Sequence, residues 1–249
     1  MKTAILILLL APVRAADWTW HETLSPHFVV AHEMVWMPSG FVLSLEKIHN
    51  RLRRDLAIFS PWMAREKLKL FLYKDQKSYM AGQFSPPSWS NGIAIFNQKA
   101  IAVYSQPEKS KLLQIIAHEM THLLFDGYWK EARKEPPSWL NEGLAMMEEG
   151  DSEDPRRSDW YRAMAGLPAG EFMPVEKFFI LTPTKDLHDK AMLSAWYVQA
   201  YSIVVFLYHG RTRMQFKNFC AQLRDGTPLA KALWSVYRYP TMVKFERDW

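Results

Sequence analysis

The chain has 249 residues, 49% of them apolar, enough to bury a sizeable core in one domain or two packed lobes. Its 31 Lys plus Arg against 26 Asp plus Glu leave a formal charge of +5, scattered rather than gathered into runs, which argues against a dedicated nucleic-acid binder. Ten Gly and fifteen Pro form no low-complexity tract and no period recurs, so disordered and solenoid architectures are excluded too.

Residues 1–15 read as a signal peptide. Lys2 supplies the positive start, and the apolar run 3–13 is too short to span a bilayer as a helix. Val13-Arg14-Ala15 offers small or modest side chains where a signal peptidase cuts. Cleavage after Ala15 predicts a mature chain 16–249 that is exported, periplasmic or extracellular, without stable membrane insertion. A buried N-terminal helix or an uncleaved anchor is the alternative. Cys220 is the only cysteine, so no intrachain disulfide can form. Its apolar setting reads as core.

The segment 27–32 is rich in β-branched residues and predicts a first strand. Phe41, Leu45, Ile48, Leu52, Leu56 and Phe59 recur at helical spacing across 39–59. The alternating stretch 67–73 suits a second strand and 75–84 a short helix or turn. Segments 92–96 and 100–104 predict two more strands around a polar turn. After Tyr104 the chain reads as helices. The first covers 111–125, with Asp126-Gly127 as its stop. The next, 139–149, is held back by Pro136-Pro137 and capped by Ser138. Residues 150–159 read as a polar surface loop. Helices resume near 193–208, where Trp196, Ile203, Val204 and Leu207 form a core face, then at 213–223, 229–236 and 240–249. The expectation is a single α+β domain with a small mixed β-sheet in an N-terminal lobe (16–127), an all-helical C-terminal lobe (128–249) and a cleft between them.

His118-Glu119-Met120-Thr121-His122 lies inside the predicted helix 111–125. Positions four apart on a helix differ by about 40°, so both imidazoles leave one face and can converge on one ion. Glu119 is rotated by about 100° from His118, beside the ion rather than on it. A zinc hydrolase needs this set: nitrogen ligands, plus a carboxylate able to take a proton from metal-activated water. Apolar Leu112, Leu113, Ile115 and Ile116 anchor the opposite side, and Glu142 on the following helix offers an oxygen ligand.

With Glu142 twenty positions after His122 in an Asn-Glu-Gly context, the sequence resembles the gluzincin metallopeptidases, and more narrowly the small exported peptidase-MA-like proteins of bacteria. His27-Phe28, the stretch 137–145, Tyr197-Val-Gln-Ala-Tyr201 and the terminal 245–249 fit the same pattern. The resemblance implies a zincin-like fold with the active-site helix in the N-terminal lobe. It implies His118, His122 and Glu142 as zinc ligands, water in the fourth position and Glu119 as general base and proton shuttle. It also implies an oxyanion donor at Tyr197, with Tyr201 one turn on as the alternative. Gly92, Ile93 and Ala94 fall where gluzincins keep the sheet edge that pairs with substrate backbone. The strand carries no acid to hold a substrate amine, which departs from the aminopeptidases.

His27 and His32 are five apart in the predicted strand and face opposite sides, so both read as structural. His21, His49, His188 and His209 lie in separate segments and gain no partner from spacing, although His188 is placed to line the cleft. Four residues after Glu142 stands Met146, so no carboxylate appears there to orient the histidine ligands. Two functions follow. The first is a zinc-dependent metallopeptidase acting on a peptide or protein substrate. The alternative is a catalytically inactive gluzincin-like peptide-binding or envelope assembly protein. Endo- against exopeptidase preference and oligomeric state are left open by the sequence.

Overall fold

The structure, a computed structural model, describes residues 20–35, 37–150, 154–210 and 212–249. The signal-peptide reading of 1–15 lies outside the described residues.

A five-stranded mixed sheet is built from β1 (His21–Leu24), β2 (Phe28–His32), β3 (Leu68–Tyr73), β4 (Gly92–Ile95) and β5 (Ala100–Tyr104), in the order β1-β2-β3-β5-β4. The central strands β2, β3 and β5 are parallel, and β1 and β4 pair antiparallel at the two edges. Strand β1 was not expected: its sequence His-Glu-Thr-Leu is polar and short, and pairing with β2 holds it. Strand β2 begins at Phe28, leaving His27 outside it.

Alternation explains which face packs where. Phe28, Val30, Leu68, Leu70, Leu72, Ile101 and Val103 join one large core shared with the helices. Tyr73 and Ala102 on the other face meet Tyr79, with Trp20, Phe71 and Ile93 beside them. Helix α1 (Phe41–Leu56) buries Phe41, Leu45, Ile48, Leu52 and Leu56, as its spacing predicts. After the short α2 (Gln76–Met80), capped by Asp75, the sheet is completed and α3 (Lys109–Lys130) crosses it.

Helix α3 does not stop at Asp126-Gly127. Tyr128 and Trp129 are buried, so packing carries the helix five residues past the expected end. Helix α4 (Ser138–Glu148) starts one residue earlier than expected, with Pro137 rather than Ser138 in the cap position and no side-chain cap bond. The expected loop 150–159 contains a 3₁₀ turn at Pro155–Arg157, and Ser158 caps α5 (Asp159–Gly166) by accepting from the Tyr161 amide. Two short helices follow, α6 (Val175–Phe178) and α7 (Pro183–Asp186).

Then come α8 (Lys190–His209), α9 (Arg213–Arg224), α10 (Leu229–Tyr237) and α11 (Met242–Asp248). Trp196, Ile203, Val204 and Leu207 are buried on α8 and Cys220 is buried on α9, all as expected. Among the described residues α8 alone is long and apolar enough to cross a membrane, and eleven of its 20 residues are buried inside the fold. It lies against α4, and Gly143 is the point of contact: a β-carbon there would stand 2.4 Å from the Ala200 carbonyl oxygen. Only glycine lets the two backbones come this close.

A candidate metal centre in the cleft

A cleft of about 700 Å³ lies between the β4 edge, helices α3 and α4, the 182–184 segment and Tyr197. Along it β4 and α3 run the same way: Gly92 lies against Ile115 and Glu119, and Phe96, just past β4, against Gly127 and Lys130. Among the described residues β4 pairs only with β5, so its outer edge is free, and Gly92, Ile93 and Ala94 line the cleft along it.

Helix geometry puts His118 and His122 on the cleft side of α3. Their Nε2 atoms are 3.0 Å apart, with Glu142 Oε2 3.7 Å from the first and Glu142 Oε1 3.9 Å from the second. Two ligand atoms held at zinc distances in a tetrahedron are roughly 3.3 Å apart. The three side chains therefore match a tetrahedral ion closely in spacing and in donor chemistry.

His118 is oriented by a residue that sequence reasoning missed. Its Nδ1 is 2.8 Å from Glu149 Oε1, and the Trp160 indole donates to the other oxygen of Glu149 at 3.0 Å. Glu149 stands seven residues after Glu142, two turns along the α4 face rather than the one turn where no carboxylate was found. With its outer nitrogen committed to Glu149, His118 presents Nε2 to the cleft. Burial opposes the charged form of His118. The Glu149 hydrogen bond and the charges of Glu119, Glu149 and Glu142 outweigh it and hold the ring up at about 9. That field favours a cation between the side chains. Among the residues lining the cleft, three buried atoms lack hydrogen-bond partners: His122 Nδ1, Asp126 Oδ1 and Asn141 Oδ1.

Glu119 reaches the cleft beside the histidines without joining them. Burial raises the affinity of its carboxyl for a proton, and the His122 and His118 rings partly offset this. Tyr197 lines the cleft on the far side, and burial together with the Glu142 charge pushes its hydroxyl up to about 12, so it stays a neutral donor. Tyr201, the alternative, is directed elsewhere: its hydroxyl is 2.7 Å from Ser158 Oγ. His188 is exposed and outside the cleft, where Thr182, Pro183 and Thr184 stand instead.

A second cluster forms where spacing offered none. His27 Nδ1 is 2.6 Å from Glu46 Oε2, and its ring stacks on His49 at 3.9 Å between centroids and 15° between planes. The other Glu46 oxygen, Oε1, accepts from both the Ser25 hydroxyl and the His27 amide. Near-parallel rings cannot both aim their in-plane lone pairs at one ion, so this cluster pins β2 to α1. His32, 4% exposed, is tied to the Met34 carbonyl.

A family model described as the Peptidase MA superfamily matches residues 56–249, which include α3, α4 and all later helices. A search of curated proteins found no match.

Proposed function

Because the chain belongs to the Peptidase MA superfamily, we propose that it is a zinc-dependent metallopeptidase of the gluzincin type, exported to the periplasm or extracellular space. His118, His122 and Glu142 would hold the ion. Bound there, zinc would polarise the scissile carbonyl and make water more acidic. The chain's own residues do the rest. Glu119 accepts a proton from the attacking water and returns it to the leaving amine. Its buried carboxyl, which already holds a proton more tightly than usual, suits that shuttle. Tyr197 donates a hydrogen bond to the oxygen on which charge develops. The free edge of β4 at Gly92, Ile93 and Ala94 takes an extended peptide by main-chain hydrogen bonds.

One observation carries this reading: three converging ligand atoms with a second carboxylate, Glu119, beside them on an open cleft. A structural zinc site has no use for Glu119. The second reading, a peptide-binding or assembly module without turnover, draws on the absence of any acid along β4 to grip a substrate amine.

Metal analysis and proteolysis test both. The expected result is about one zinc per wild-type chain, lost in Glu142→Ala, with chelator-sensitive cleavage of an unfolded protein. In Glu119→Gln, cleavage disappears while zinc stays. Folded wild type that takes up no zinc overturns the proposal. Zinc with tight peptide binding and no cleavage leaves the binding module.

A further inference from the structure

The two ends of the cleft differ in chemistry. Residues ahead of Gly92 lie beside the first turns of α3, because β4 and α3 run the same way. The Tyr104 hydroxyl, donating to Asn91 at 2.6 Å, fixes that corner five residues before α3 begins. At this end the cleft is walled by Trp89, Asn91 and Lys111, and at the other by Asp126, Lys130 and Glu135. Lys130 is engaged, with Asp126 Oδ2 3.6 Å away and the Phe96 ring beneath its ammonium. Lys111 is exposed, and among the described residues it has no carboxylate partner. The cleft thus carries one uncommitted positive charge, at one end only.

Its position is also a measure of length. Lys111 and His118 are seven residues apart on α3, two turns along one face, or about 10 Å of rise. An extended peptide advances about 3.3 Å per residue, so that interval corresponds to about three residues of substrate. We propose that Lys111 anchors a carboxylate of the substrate peptide two or three residues from the bond that is cut. The anchored group is either the chain's own C-terminus or an acidic side chain at that position. This assignment rests on the peptidase reading above and deepens it, turning an open cleft into one that selects where it cuts.

Equilibrium binding tests the anchor without turnover. Three N-terminally dansylated hexapeptides are titrated against zinc-loaded Glu119→Gln by fluorescence anisotropy: a free acid, its C-terminal amide, and an amide whose last residue is glutamate. A peptide bearing the anchored carboxylate should bind about fivefold tighter than the neutral amide, the scale of a solvent-exposed charge pair. Adding Lys111→Met should abolish that gain, and adding Lys111→Arg should keep it. A gain for the free acid identifies the C-terminus as the source, and a gain for the glutamate amide identifies the side chain. Equal affinity for all three peptides, or equal weakening of all three by Lys111→Met, overturns the proposal. Wild-type cleavage of an unfolded protein, scored separately, decides the peptidase reading itself. Cleavage without any carboxylate preference would leave that reading standing and remove the anchor.

Discussion

Gly92 and Glu119 meet so closely that a β-carbon on the strand residue would stand 2.8 Å from Glu119 Cγ. The carboxylate stem of α3 therefore lies over bare backbone, and the edge strand sets its height above the cleft floor. Gly92→Ala is expected to push Glu119 aside and lower kcat about a hundredfold, the cost of displacing a reacting group by about 1 Å. Zinc content should not change, since the atoms nearest a side chain here belong to Glu119, Val103 and Ile115 and not to the three ligands. Loss of zinc alongside kcat would show that the strand supports the metal and not the base.

Glu149 fixes the ring of His118 from behind. Glu149→Gln keeps the shape but removes the charge from the 2.8 Å contact. Zinc affinity, measured by competition with a chromophoric chelator, should fall between about tenfold and a hundredfold. Trp160→Phe, which frees the other Glu149 oxygen, should give a smaller loss in the same direction.

The two tyrosines of α8 separate cleanly. Tyr197→Phe should reduce kcat by about two to three orders of magnitude with little change in KM, because its hydroxyl acts only on charge that develops during reaction. Tyr201→Phe breaks the bond to Ser158 instead, and should cost about 1 kcal/mol of stability with kcat nearly intact. Equal kinetic effects in the two variants would remove Tyr197 from its role.

Glu148, next to the cleft-lining Glu149 but paired with Arg51, gives a pH dependence of stability. It is 4% exposed, and burial, reinforced by Asp55 and opposed by Arg51, Arg54 and Arg213, pushes its carboxyl up to about 8. The folded chain thus binds more protons than the unfolded one between about pH 4.3, the ordinary Glu value, and 8. Its contribution to stability falls as pH rises through that window, on the order of a few kcal/mol in all. Glu148→Gln should flatten the fall, so that Tm at pH 8 rises relative to wild type while Tm at pH 4 changes little. Parallel Tm curves for the two proteins would refute this.

Spacing along one helix or strand made much of this legible. The histidine pair, Glu119 and the apolar stripe of α1 are local patterns, and the β4 edge is a short apolar run ahead of a polar turn. Glu149 was hidden for a simple reason. Its partner lies on another helix, and it stands two turns beyond Glu142 rather than one. The His27–Glu46–His49 cluster depends on docking β2 against α1, which no interval in the sequence encodes. Helices α5, α6 and α7, with eight, four and four residues, are too short to show a period.

The contact between Gly143 and the Ala200 carbonyl bears on how such a site tolerates insertion. Glu142 takes its position from the seat of α4 on α8, and the connection 131–137 only has to span the gap. Extra residues there would leave the ligand where it is, whereas any side chain at 143 would unseat it. The glycine after the glutamate is therefore a stricter signature of this centre than the count of residues separating that glutamate from the histidines.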